Sequence, residues 1–191
     1  MTVRSWHTLA RHVAILTAGK QSVALQRFRS PHSSPFDIST SEDRKSNIQK
    51  KIEADFNRLL NQVVVRDIPF LGACSGNGLL GNYLGNSIST KYGGAVSCVT
   101  LDLTEAGKQD KLLTGFPEQI DVLLGHNEAV DTTPDGAALL MTGSDCPVQM
   151  FRVGENVYAT QFHPKATPRN SCCVSKPTGI TAISNRMKRM S

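Results

Sequence analysis

Cys74 stands between two glycines in the run Phe70-Leu71-Gly72-Ala73-Cys74-Ser75-Gly76. A short apolar stretch precedes it and a helix-compatible stretch follows, which is the cysteine form of a nucleophile elbow. Glycines two residues to either side allow a sharp, strained turn and a close approach by substrate. At a helix start, free N–H groups and the helix dipole favour a thiolate and can hold an oxyanion. A thiol nucleophile needs a base, and imidazole is the usual one. His163 closes an alternating strand pattern, at the end where open α/β sheets place their sites. Each residue also has a bland reading: Cys74 as a structural cysteine in a glycine-rich turn, His163 as a strand-end residue before Pro164. Together they predict a Cys–His pair.

The elements that must position this pair are legible in the periodicities. From Ser46, the residues Ile48, Ile52, Phe56, Leu59, Leu60 and Val63 recur at helical spacing, with Lys50, Lys51, Glu53, Asp55 and Arg58 on the other face. This predicts an amphipathic helix packed on a sheet. Residues 69–73 predict a short buried strand leading into Cys74, and a helix then runs towards Gly85. Strands are expected over 95–103, 120–125 (ending at His126) and 137–141, with a helical turn over 104–113. Residues 148–153 and 157–162 alternate around Gly154-Glu155-Asn156, a hairpin signal. Pro164 stops the last strand, because proline cannot donate to a ladder. Residues 12–18 are a further candidate strand, and Pro31-His32-Ser33-Ser34-Pro35 reads as loop.

Four ordered motifs carry a family resemblance. The elbow through Leu80, the run Gly125-His126-Asn127-Glu128-Ala129-Val130, the run Ser144-Asp145-Cys146-Pro147-Val148-Gln149-Met150-Phe151, and Val157-Tyr158-Ala159-Thr160-Gln161-Phe162-His163-Pro164 together resemble a class I glutamine amidotransferase. The branch it is most similar to is the glutamine amidotransferase domain of GMP synthase. The resemblance covers roughly residues 34–165. It implies a flavodoxin-like α/β fold with helices on both faces of a mostly parallel sheet. It also implies glutamine as substrate, a glutamyl thioester on Cys74, and release of ammonia and glutamate. Gly72, Ser75, Gly76, His126 and Gln161 become the expected substrate-binding positions, although a strand-end surface role for His126 is an equal alternative. Neither a metal nor an organic cofactor is implied, and a separate ammonia-accepting synthetase is the expected partner.

The chain departs from the family pattern at telling places. The family's triad ends in a glutamate two residues after the histidine; here that position is Lys165, which cannot accept the imidazole's second N–H. Ser33-Ser34 stand where the family's first loop carries glycines, and Gly78 stands where many members have glutamine. Lys165 motivates one rival, a catalytically degenerate amidotransferase fold with a binding or regulatory role. Another is a γ-glutamyl hydrolase, using the same Cys–His logic on a peptide-like substrate.

Composition narrows the remaining classes. Among 191 residues, 39% are hydrophobic and 19% charged, ordinary for a soluble globular protein, and no apolar run approaches the roughly 20 residues of a membrane helix. The net charge of +5 is unevenly spread. Residues 1–36 and 165–191 hold five and six basic residues and no acid, so the core between carries all 16 acids and a net −6. A nucleic-acid face is therefore not expected, because the positive charge lies outside the recognisable domain. The division that follows is a basic N-terminal segment over 1–33, the amidotransferase-like domain over 34–164, and a basic irregular tail over 165–191. The acid-free N-terminus also fits a mitochondrial transit peptide; otherwise the cytoplasm is the expected compartment. The abrupt switch at both ends is the pattern that out-of-frame translation gives, which would leave the fold incomplete at both ends. Five cysteines without paired spacing argue against a disulfide framework. Cys98 and Cys146 read as small core residues, and the adjacent Cys172-Cys173 are unsuited to zinc. No phosphate-binding loop is present.

Overall fold

The first long helix forms where the apolar period predicts it. In the computed structural model, which describes residues 15–17, 47–163 and 183, helix α1 spans Asn47–Val65. It buries Phe56, Leu59, Leu60 and Val63. It ends as Asp67 turns the chain with φ of 50°, and strand β2 (Phe70–Ala73), buried along its length, follows at once. Helix α2 (Ser75–Tyr83) starts directly after Cys74. Lys165 and most of the two flanking segments lie outside the described residues.

Further along come β3 (Ile88–Ser89), a single 3-10 turn (Thr90–Tyr92) and β4 (Gly94–Leu103). Helix α3 (Glu105–Gln109) is capped by the Thr104 hydroxyl, which accepts the Gly107 N–H. Next are β5 (Gln119–His126), β6 (Ala129–Val130), β7 (Ala138–Thr142), β8 (Met150–Val153) and β9 (Val157–Thr160). With β1 (Ile15–Thr17), seven strands form one sheet in the order β1-β2-β9-β8-β7-β4-β5, and β3 pairs with β6 in a second, two-stranded sheet.

The α/β architecture holds, and the sheet is mixed. Among the described pairings β2 runs parallel to β9, with Phe70 opposite Val157 and Ala73 opposite Thr160. The other described ladders of the large sheet are antiparallel. The expectation of a mostly parallel sheet thus narrows to the β2–β9 pair. The physical reason is connection length. The three-residue turn at Gly154-Glu155-Asn156, with Gly154 at φ of 59°, can only join antiparallel neighbours, whereas β2 and β9 are linked by a long crossover.

Side chains alternate across this sheet and make two cores. Phe70, Phe151, Val157 and Ala159 face α1 together with Leu80 of α2. Leu71, Met150 and Tyr158 point the other way, towards Leu112, Leu113 and Ile183. Covering both faces is what allows an almost uniformly apolar β2 and β9. At the far end from Cys74, the Asp67 carboxylate accepts the N–H groups of Glu155 and Asn156, both at 3.0 Å, and the Asn156 side-chain amide at 2.7 Å. This clamp fixes β2 to the β8–β9 turn and so sets the register of the parallel pair.

Two sequence expectations change here. Cys98 lies in the exposed half of β4 and is disulfide-bonded, so it is not a core residue; Cys146 is free and buried as expected. The short β3–β6 ladder has no counterpart in the periodicities, because two residues cannot show a period.

Candidate active site

The elbow is built by the exit from β2. Cys74 adopts φ of 54° and ψ of −107°, a region that costs a non-glycine residue of order 1–3 kcal/mol and that gathers at functional sites. It is held there from two sides. Its N–H donates to the Thr160 carbonyl at 2.7 Å, and its own carbonyl accepts the Asn77 N–H at 2.9 Å as α2 begins. The turn needs a glycine at position 72, since a Cβ there would lie 2.7 Å from the Gly76 carbonyl oxygen. The flanking glycines seen in the sequence are therefore one steric unit, with Gly72 yielding the space that the Gly76 backbone occupies.

Cys74 is buried, and burial pushes its thiol up from the ordinary value, against the opposing pull of the Ser75 N–H and hydroxyl. The helix start pulls towards the thiolate as the sequence leads one to expect, but burial is the larger effect. Desolvation outweighs two hydrogen bonds, so the resting group is a thiol that needs a base to ionise it.

Base and nucleophile leave the sheet together. Parallel pairing carries the exits of β2 and β9 to the same edge, so His163 emerges three residues beyond the strand position that Cys74 grips. His163 is half-buried. The segment between is fastened at each residue. Thr160 Oγ1 donates to the Phe162 carbonyl at 2.9 Å, the Gln161 N–H donates to the Gln149 carbonyl at 2.8 Å, and Gln161 Oε1 accepts Nδ2 of Asn77 at 3.3 Å.

The expected site residues divide into two groups. Gly72, Cys74, Ser75, Gly76, Gln161 and His163 converge on the exits of β2 and β9. His126 ends β5, the opposite edge strand, and is buried rather than a surface residue. Among the described residues neither of its ring nitrogens finds a well-formed hydrogen bond. Burial holds its pKa below the ordinary value, with the nearby Tyr92 backbone opposing, so it is neutral at pH 7. Its route to the site is indirect: β6, three residues on, packs Val130 against Gly81 of α2. Asn77 escapes sequence reasoning. A fully buried asparagine in a helix's first turn carries no periodic signal, and its only sequence cue is its place three residues after the nucleophile. Among the described residues no group of three or more His, Cys, Asp or Glu could hold a metal, and no helix is long and apolar enough to cross a membrane.

Comparison with known proteins agrees with this geometry. A glutamine-hydrolyzing GMP synthase subunit from Methanobrevibacter smithii is 31% identical over 108 residues, covering 55% of each chain. The glutamine-hydrolyzing GMP synthase of Streptococcus pyogenes is 35% identical over 107 residues, covering 52% of this chain and 19% of that protein. The chain thus spans about half the length of the first relative and about a fifth of the second. The crystal structure of a glutamine amidotransferase from Thermotoga maritima shares the fold, with a TM-score of 0.57 and 22% identity over 68% of this chain and 54% of that one. The family model for glutamine amidotransferase class-I matches residues 44–172, and the chain belongs to that family.

Proposed function

We propose that this chain hydrolyses the side-chain amide of glutamine to glutamate and ammonia through a thioester on Cys74, with His163 as base. The observation that carries the reading is the strained elbow at Cys74, gripped by Thr160 on the strand that leads to His163. His163 takes the thiol proton as Sγ attacks the amide carbon. The Ser75 N–H, already beside the sulfur, is the donor that the elbow offers to the oxyanion. Ammonia leaves with the proton from the imidazolium, and water then cleaves the thioester to glutamate, restoring the thiol. Gly72 and Gly76 keep the approach to Sγ free of side chains. A separate synthetase is the proposed acceptor of the ammonia, in keeping with the Methanobrevibacter relative, whose name makes it one subunit of a GMP synthase.

Lys165 bears on rate. Without a carboxylate to orient the imidazole and hold its tautomer, turnover falls on a scale of about 10⁴-fold for one well-studied aspartate replacement. The degenerate, binding-only reading draws on the same residue. Glutamate release from glutamine is the test, run on the unaltered chain, Cys74→Ala and Lys165→Glu. Slow release that Cys74→Ala abolishes and Lys165→Glu raises supports catalysis. Saturable glutamine binding with no turnover in any of the three supports the binding-only fold instead. An ordinary rate of about 1–10³ per second in the unaltered chain would refute the role given to position 165 and point to another carboxylate, such as the half-buried Glu128.

A further inference from the structure

Asn77 and Gln161 sit where the two halves of the site meet, and neither is explained by packing. Asn77 is completely buried in the first turn of α2, three residues after Cys74, and among the described residues its Oδ1 has no hydrogen-bond partner. A half-satisfied amide in a core is a liability, since a buried polar atom without a partner has lost its water and gained nothing in return. A leucine, with the same branched outline and no polar atom, would leave nothing unpaired there. What the amide does provide is one directional bond, from Nδ2 to Gln161 Oε1 at 3.3 Å. Gln161 is 2% exposed and lies two residues before His163. Its backbone N–H is already engaged with Gln149, and the bond to Asn77 fastens the side chain of the same residue, so both ends of Gln161 are tied in the segment that delivers the imidazole.

We propose that Asn77 and Gln161 are a positioning pair, whose buried amide–amide bond holds His163 in register with Cys74. Gln161 thereby acts through His163 and not by touching glutamine, which its burial disfavours. The inference rests on the Cys–His reading above, and it deepens that reading by naming what sets the geometry. Misplacing a reacting group by about 1 Å can cost 10²-fold, so loss of one bond at this joint is expected to slow the ionisation of Cys74 by tenfold or more.

The test is a cycle of variants read by the rate of Cys74 alkylation with iodoacetamide at pH 7, mapped by mass spectrometry. Asn77→Leu combined with Gln161→Met removes both polar partners and keeps side chains of similar length and branching. The expected result is a double variant at least as stable to urea as the unaltered chain, with Cys74 alkylated at least tenfold more slowly. In a His163→Ala background the same two substitutions should change the rate less than twofold, because no base remains to be positioned. Gln161→Glu keeps an acceptor for Nδ2 and should retain more of the rate than Gln161→Met, a comparison that stands even if changes at Asn77 prevent folding. Undiminished alkylation in the folded double variant, or an equal fall with and without His163, would overturn the positioning role while leaving the Cys–His reading intact. Alkylation of the unaltered chain that is indifferent to His163→Ala would overturn both.

Discussion

Gly72→Ala is the substitution whose outcome the elbow geometry constrains most tightly. A Cβ at position 72 would meet the Gly76 carbonyl oxygen at 2.7 Å and its carbon at 2.9 Å. Both are backbone atoms at the start of α2, so no flexible side chain can move aside. Restoring ordinary contact near 3.4 Å requires the strand and the helix start to part by roughly 0.5 Å or more, an overpacking strain of about 1–3 kcal/mol. The displaced atoms carry Cys74 with them, so alkylation of Cys74 and any glutamine turnover should fall about tenfold to a hundredfold. Gly78→Ala is the internal control. It lies one helical turn into α2, its Cβ would meet nothing within 4 Å, and alanine in a helix interior gains about 0.5–1 kcal/mol over glycine. Urea unfolding gives the stabilities, and timed iodoacetamide labelling gives the reactivity of Cys74. A Gly72→Ala protein with unchanged stability and labelling rate would refute the steric account of the elbow, as would a Gly78→Ala protein impaired to the same degree.

The Asp110 carboxylate, almost wholly buried, accepts the Tyr158 hydroxyl at 3.2 Å and the Leu112 N–H at 2.8 Å and lies 2.8 Å from Nε of Arg152. Burial first, and then the Asp110 charge, hold the Tyr158 phenol well above its ordinary range. Asp110→Ala strands all three partners and should destabilise by about 3–5 kcal/mol in urea unfolding, whereas a loss under about 1 kcal/mol would show the cluster to be unimportant. His126 makes a pH prediction. Its folded pKa lies below the ordinary 6.5, so the unfolded chain binds the proton first as pH falls. Its contribution is complete above about pH 6.5 and is lost below it, with a limiting slope of about 1.4 kcal/mol per pH unit. His126→Leu should flatten unfolding free energies between about pH 7 and 5; an unchanged slope would show that the imidazole is solvated. Asp67→Ala removes the clamp on the β8–β9 turn and should destabilise by about 2–4 kcal/mol, since three hydrogen bonds to a charged group are lost. A neutral result would leave the β2–β9 register to the apolar contacts alone.

Much of this arrangement is legible in the residues because the determining interactions are local. The 3.6-residue period of Phe56, Leu59, Leu60 and Val63 marks α1, the alternation around Gly154 marks β8 and β9, and the glycines about Cys74 mark the elbow. What escapes is set by partners distant in sequence. That β9 pairs with β2 across more than eighty residues, and that most of the sheet is antiparallel, leaves no trace in any single strand's pattern. The net direction of the Cys74 shift escapes the sequence for a related reason. The helix start is visible in the sequence, but the burial that outweighs it belongs to the packed sheet. Cys98 is apolar enough for a core, yet at that point β4 is flanked by β5 alone, its pairing with β7 being confined to Asp102 and Leu103, and the strand is exposed. Lys165, the departure with the largest stake for function, lies outside the described residues and rests on sequence alone.

Covalent trapping tests the central claim most directly. A glutamine-shaped electrophile carrying a diazoketone in place of the amide should alkylate a nucleophile that is both activated and placed at a glutamine site. The account predicts a single adduct, on Cys74, slowed by excess glutamine and by His163→Ala. Modification of Cys146 or another residue in preference to Cys74, or labelling of Cys74 that glutamine does not slow, would contradict it.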